Sequence, residues 1–254
     1  MELIVEIEQR VMMLKLNRPE KQNALNLALY DGLTAALQQA AEDPQIRAVC
    51  LSGEGKNFCS GNDIGDFLSS GLAGLERSVV PFLHTLAAFP KPLVAAVQGN
   101  AVGIGTTLML HCDLVYIDDT ARFKLPFVDL GLVPEAGSSM LLPQLVGDRR
   151  AAEMLLLCES FGPEEAQELG LINRQLAADE LQGFAYSQAQ RLAAKPPAAL
   201  AQAKALIRRR NAASLQQTID IEAAAFARQL TSPEAMEALT AFKERRAPDF
   251  SRFD

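Results

Sequence analysis

Three short segments of this 254-residue chain carry residue types that could do chemistry. The first is GKNFCSGNDI, residues 55–64, where an apolar run meets a glycine turn and Ser60, Gly61, Asn62 and Asp63 follow in order. Successive backbone N–H groups in such a turn can face an electron-rich acceptor; a tight turn with no ligand has the same letters. The second is QGNAVGIGTTL, residues 98–108. Its glycines allow another group to approach the backbone, and the helix start expected behind them offers free N–H groups at a positive dipole end. It lacks the dinucleotide fingerprint and the lysine of a phosphate loop, so phosphate binding has little support there. The third is LGLVPEAGSS, residues 130–139, with Glu135 among Leu130, Leu132 and Val133. A carboxylate in apolar surroundings keeps its proton to higher pH and can shuttle it near neutrality. The plainer reading is a glutamate placed against a helix dipole.

Composition narrows the field. Acidic residues number 31 against 24 basic, a net charge of −7, which argues against a nucleic-acid surface. The only histidines, His84 and His111, leave little room for a multi-histidine metal site, so no metal is expected and acid–base work falls to carboxylates. His111 itself reads as a core or supporting residue. Cys50, Cys59, Cys112 and Cys158 lack CxxC spacing and sit in apolar stretches, as buried thiols of a reducing, cytoplasmic compartment do. The opening MELIVEIEQR reads as a strand and not as a signal peptide. Residues 92–112 are uncharged and long enough to span a bilayer. Pro92 and the QGN turn divide them into a buried strand and a buried helix, so no membrane is expected.

The elements that must position these segments follow from periodicity. A hairpin is expected over 3–7 and 11–16, and a helix over 26–41 with Leu29, Leu33, Leu37 and Ala40 on one face. Strands are expected at 47–53, 92–97 and 113–117, helices at 75–88 and within 136–170, and almost continuous helix over 178–247, with starts near Pro196, Ser214 and Ser232. Strands alternating with helices in the first two thirds imply an α/β core with crossover connections. Segment 66–78 reads as a mobile cap over the site. The apolar stripe Leu215, Ile219, Phe226 and Leu230 needs cover, and a neighbouring subunit is the expected place.

Read in order, LNRPEKQNAL, FCSGNDI, KPLVAAVQGNAVGIG, CDLVYIDDTARF, LGLVPEAGSS, LLPQLVGDRRAAEMLL and KPPAAL resemble the crotonase superfamily, the enoyl-CoA hydratase/isomerase proteins. The resemblance covers nearly the whole chain and is most like the Δ3,Δ2-enoyl-CoA isomerases. It implies an α/β fold: a crotonase-like spiral of ββα turns with the acyl-CoA site over residues 1–195, then a C-terminal helical trimerisation region over 196–254. It implies a homotrimer or dimer of trimers, an acyl-CoA substrate, and no cofactor beyond the coenzyme A of that substrate.

Residue by residue, the resemblance puts an oxyanion hole at the backbone N–H groups of Asn62 and Ile104. It puts Ser60, Gly61, Asn62, Asp63, Ile64, Gly103 and Phe127 along the bound ester, and Arg18 and Lys21 at the CoA phosphates. The two hydratase glutamates fall on Thr107 and Phe127, neither an acid, whereas Glu135 matches the isomerase acid. The implied activity moves the double bond of a 3-enoyl-CoA to the trans-2-enoyl-CoA through one glutamate, in fatty acid metabolism. Alternatives that share the hole are a hydratase, a thioester hydrolase, a decarboxylase and a non-catalytic acyl-CoA-binding protein. Asp63 and Asp66 are secondary candidates as helpers. Asp113 reads as a strand-start residue, and Arg208–Arg210 as solvated or intersubunit.

Overall fold

Apolar residues on either side of a Gln9–Arg10 turn fold the start of the chain into an antiparallel hairpin, β1 (Leu3–Glu8) and β2 (Val11–Leu16). This is seen in a computed structural model, which describes residues 1–253. Helix α1 (Leu27–Glu42) starts where Asn26 accepts a hydrogen bond from Leu29 N at 2.9 Å, and buries the expected face. The next strands, β3 (Ala48–Gly53) and β4 (Leu93–Val97), are buried along their whole length. Such continuous apolar runs suit the middle of a parallel sheet covered on both faces. With β6 (Leu114–Asp118) and β8 (Arg174–Leu176) they complete a six-stranded sheet in the order β1-β2-β3-β4-β6-β8, parallel beyond the hairpin. Strand β8 had no sequence signal, because its three residues are too few to show a period.

A second, smaller sheet lies along the spiral. Strands β5 (Asn100–Val102) and β7 (Arg122–Lys124) pair in parallel, and single bridges extend them to Cys59 on one side and Phe161 on the other. Each turn of chain therefore gives a strand to the large sheet and an extended segment to the small one: β3 then Cys59, β4 then β5, β6 then β7. Helices follow these pairs. Helix α2 (Ile64–Gly74) comes after Cys59, and α4 (Ile104–Thr107) after β5. This is the expected spiral of ββα turns.

Segment 66–78 is helical, and its Phe67 reaches the wall of the cavity described below. It is α2 continued by a π-helical turn (Leu75–Val79) into α3 (Val80–Ala88). Asp63 caps α2 by accepting from Gly65 N (3.1 Å) and Asp66 N (3.3 Å), and Phe67 and Leu75 are buried in the core. Past the sheets come α5 (Ser138–Val146), α6 (Asp148–Leu156), α7 (Pro163–Glu168) and α8 (Leu181–Ala193). Leu181, Ala185, Ala189 and Ala193 repeat every fourth residue, and this small-residue stripe packs α8 on the outer sheet face with Val11, Ala48, Cys50, Val94 and Ala96.

The tail contains α9 (Pro197–Arg208), α10 (Ala212–Leu230) and α11 (Pro233–Glu244). Leu215, Ile219, Phe226 and Leu230 find their cover within the same chain: with Ala235 and Leu239 they join the main core. No neighbouring subunit is needed for that stripe. Nor is Arg208 simply solvated. It donates to Asp113 Oδ1 (3.0 Å) and to the His111 carbonyl, while buried Lys204 donates to Asp113 Oδ2 (2.7 Å) and Lys91 O (2.5 Å). These bonds pin α9 to the start of β6. All four cysteines are free thiols. Among the described residues, no helix is long and apolar enough to cross a membrane.

Candidate active site

The extended residues 59–63 are held on both sides by backbone hydrogen bonds. Cys59 N donates to Asn100 O and Val102 N donates to Cys59 O, each at 2.9 Å. Opposite, Leu25 N donates to Gly61 O and Asp63 N to Leu25 O, each at 2.8 Å. Gly103, at φ 54°, turns β5 into α4. Its carbonyl accepts from Thr106 N and Thr107 N at 2.9 Å, so the N–H of Ile104 points out of the first turn. Among the described residues, neither Asn62 N–H nor Ile104 N–H meets an acceptor of the protein. Gly105 brings the two segments together: a Cβ there would lie 2.4 Å from Cys59 O. The Ile104 side chain is buried and turned into the core, which leaves its N–H free to serve.

Both N–H-bearing residues line a cavity of about 470 Å³. Ser60, Gly61, Asn62, Ile64 and Phe67 form one part of its wall, and Gly103, Ile104, Phe127 and Leu132 another. Phe226 and Leu230 of α10, and Leu239 and Phe242 of α11, close it with apolar surface. The helical tail thus builds the site of its own chain.

Glu135 sits at a turn made by Ala136 (φ 60°) and Gly137 (φ 71°), immediately before α5. Ser138 N donates to Glu135 O at 3.0 Å, and the ring Nε2 of His111 meets Ala136 O at 2.7 Å. The side chain is turned inward: Glu135 is 5% exposed, and its Oε1 has no hydrogen-bond partner. Burial, then the nearby Glu222 carboxylate, raise its pKa to about 8. Burial, then the Glu135 charge, raise Tyr30 well above the ordinary phenol range. Tyr30 in turn donates its hydroxyl to Asn62 Oδ1. Tyr30 thus feels the acid's charge while bonding the residue that supplies the first free N–H. Glu135 does not itself line the cavity, whose wall stops short of it.

The other expected site residues divide. Ser60, Gly61, Asn62, Ile64, Gly103, Ile104 and Phe127 all line the cavity. Lys21 is exposed beside the ribbon, its carbonyl accepting from Ser60 Oγ at 3.2 Å. Arg18 is not available for a phosphate. Its side chain is only 11% exposed and is committed to Asp63 Oδ2 (2.9 Å), Glu2 Oε1 (3.2 Å) and Ala24 O (2.7 Å). Asp63 does not line the ester path, because Arg18 and the α2 cap occupy it. Asp66 is likewise spent, accepting from Leu27 N at 2.7 Å. At the hydratase positions Thr107 and Phe127 are both buried, and the Thr107 hydroxyl has no partner.

Two residues escaped the sequence reading. Tyr30 lies buried on α1 beside the expected face. Glu222 accepts from Gly137 N (2.6 Å), Ser139 N (2.9 Å) and the Ser139 hydroxyl. Its signal was present: Glu222 interrupts the stripe Leu215, Ile219, Phe226, Leu230 at core spacing.

With this geometry in place, comparison with known proteins is informative. A family model described as enoyl-CoA hydratase/isomerase matches residues 6–252. A 2,3-dehydroadipyl-CoA hydratase of Escherichia coli is 37% identical over 98% of each chain. A 1,2-epoxyphenylacetyl-CoA isomerase of the same bacterium is 34% identical, again over 98% of each chain. A crystal structure of an enoyl-CoA hydratase/isomerase from Pseudoalteromonas atlantica superposes with a TM-score of 0.93 at 41% identity, covering 98% of this chain and 100% of that one.

Proposed function

The chain belongs to the enoyl-CoA hydratase/isomerase family, the crotonase superfamily of CoA-thioester enzymes, and from that premise we propose that it is an isomerase shifting a 3-enoyl-CoA to the trans-2-enoyl-CoA. The observation that carries the reading is one buried acid, Glu135, whose Oε1 has no hydrogen-bond partner, together with two free N–H groups on the cavity wall, and with Thr107 and Phe127 where water-handling acids would stand.

The chemistry follows from those groups. In a 3-enoyl thioester the C2 protons are acidified, because the anion left behind spreads onto the thioester oxygen and C4. The N–H groups of Asn62 and Ile104 receive that oxygen; one preorganised donor of this kind stabilises the transition state by about 3–4 kcal/mol. Glu135 takes the C2 proton and returns it at C4, so the atoms balance with neither water nor a second base. A carboxyl whose pKa is about 8 holds the transferred proton well, and its apolar surroundings keep the proton from exchanging. Since the cavity wall stops short of Glu135, this reading requires the bound acyl chain to carry C2 and C4 to its carboxyl. Lys21 is the exposed cation left for the CoA phosphates, and coenzyme A enters only as part of the substrate. Leu206 and Ile207 on α9 and Leu156 and Leu157 at the end of α6 remain exposed, which supports self-association; the homotrimer or dimer of trimers is what the family resemblance implies.

The test is an absorbance assay with a panel of 3-enoyl-CoA and 2-enoyl-CoA esters. Isomerisation without hydration is expected, and fast hydration of crotonyl-CoA overturns the reading in favour of a hydratase. That second reading has its own support in the 37% identical hydratase relative.

A further inference from the structure

Glu222 is buried, carries a carboxylate, and has no part in the proton transfer just described. It lies on α10, 87 positions after Glu135, yet its three hydrogen bonds all go to the turn that follows Glu135. Gly137 N and Ser139 N are among the first N–H groups of α5, which no bond within that helix can satisfy. A short cap such as serine or aspartate would ordinarily bind them from the adjacent chain. Here the acceptor arrives instead from a distant helix, at a cost: Glu222 must give up water, and its burial raises its pKa. Phe226 and Leu230, one and two helical turns further on, line the cavity from the same face of α10. The helix that shapes the acyl pocket is thereby tied to the turn bearing the acid.

We propose that Glu222 is a positioning residue: its carboxylate clamps the turn Ala136–Ser139, fixes where the Glu135 carboxyl points, and places a second negative charge beside it. This rests on Glu135 being the base. Other titratable groups around the turn are accounted for. Tyr30 of α1 and Cys59 lie on the Glu135 side, both held neutral by burial and by that carboxylate. His111 faces Ala136 and is also neutral, its pKa lowered to about 4 by burial. On α10 itself, Asp220 is turned to His84 of α3. Glu222 is thus the charge that bears on Glu135.

Glu222→Gln removes the charge, and Glu222→Asp keeps it but withdraws the clamp. In the full-length protein, the rising limb of kcat/KM against pH should move about one unit to lower pH in Glu222→Gln and stay in place in Glu222→Asp. Both should lose kcat by about tenfold or more, with KM little changed. The Glu135 carboxyl is also titrated directly, by infrared difference spectroscopy of ligand-free protein, with Glu135→Gln identifying its band. That titration needs no turnover, so it judges Glu222 even if Glu135→Gln remains active and the base assignment fails. An unmoved band in Glu222→Gln, or wild-type kcat in both variants, overturns the proposal. If Glu222→Gln does not fold, Ser139→Ala deletes one donor to the clamp and no charge; it should lower kcat several-fold, and wild-type kcat there overturns the proposal.

Discussion

The two halves of the site are built in opposite ways. The N–H pair at Asn62 and Ile104 is a backbone device. Its parts lie on an extended segment and on the first residue of α4, and the bonds that fix them join residues 25, 59–63, 100–103 and 124 of the same spiral turns. The acid is a side-chain device. Glu135 stands on a turn with two positive-φ residues, held by His111 at Ala136 O and by Glu222 from α10. A backbone donor goes wherever the chain goes, so strand pairing alone places it. A carboxylate has rotatable bonds, and it stays aimed only if contacts from elsewhere hold it. The difference teaches where each half is vulnerable.

The sharpest break is Glu135→Gln. It keeps the size of the side chain and removes the proton acceptor. On the proposed reading, kcat with a 3-enoyl-CoA should fall by about a thousandfold, while binding of a saturated acyl-CoA, followed by calorimetry, stays within a few-fold. Retained turnover would take the acid out of the comparison altogether.

Gly105→Ala attacks the other half without touching a polar side chain. The new Cβ would meet the Cys59 carbonyl at 2.4 Å, and since that oxygen is backbone and cannot swing aside, α4 and residues 59–62 must part. The two N–H groups then diverge. Loss of one donor costs about a hundredfold in kcat, and that is the fall expected here in steady-state kinetics. A variant that folds with unchanged kcat would mean that the hole tolerates a spacing the structure does not.

The same contrast explains what could be read from the sequence. SGND and the glycines of VGIG marked the backbone half, because close approach and turn geometry demand those residue types locally. An α/β core with crossover connections was legible too, from apolar runs such as LVAAV alternating with helical stretches; the spiral itself came only from the resemblance, and the fourfold step of Leu181, Ala185, Ala189 and Ala193 showed its role only once α8 was found on the sheet. Glu135 was legible as an acid in apolar company, but its partner was not. Nothing near residue 135 signals that a glutamate on α10 will cap the turn. Arg18 misled for a related reason: a basic residue beside a proline loop looks solvated until Asp63 and Glu2 are found against it. The apolar face of α10 fixed only that cover was needed, and chain folding supplied it where a subunit was expected.

Burial of the acid also predicts how pH should act on stability. In the unfolded chain Glu135 ionises near 4.5, and in the folded protein near 8. Between those values the folded state binds the extra proton, so stability falls as pH rises through the window and levels off above it. At about 1.36 kcal/mol per unit, the wild type should lose roughly 2 kcal/mol between pH 6 and pH 8 relative to Glu135→Gln, which has no such proton. Urea unfolding at the two pH values measures it. Equal slopes for the two proteins would show that the carboxyl is ionised and solvated in the fold, contrary to its 5% exposure. For activity the sign reverses: the ionised base is the working form, so kcat/KM should climb through about pH 8.

The smallest effect expected comes from Ala136→Gly, and it asks whether the turn is aimed by its own backbone or from a distance. Ala136 holds φ 60°, a conformation that costs an L-residue about 1–2 kcal/mol and a glycine almost nothing. Glycine also gains more freedom on unfolding, by about 0.5–1 kcal/mol. The two terms nearly cancel, so stability should change by about 1 kcal/mol or less. If His111 and Glu222 aim the turn, the added backbone freedom is suppressed in the folded state and kcat should stay within about twofold, because the bonds to Ala136 O, Gly137 N and Ser139 N survive the change. A tenfold loss with unchanged stability would place the aiming in the stiffness of residue 136 itself. The acid would then be as local a device as the N–H pair.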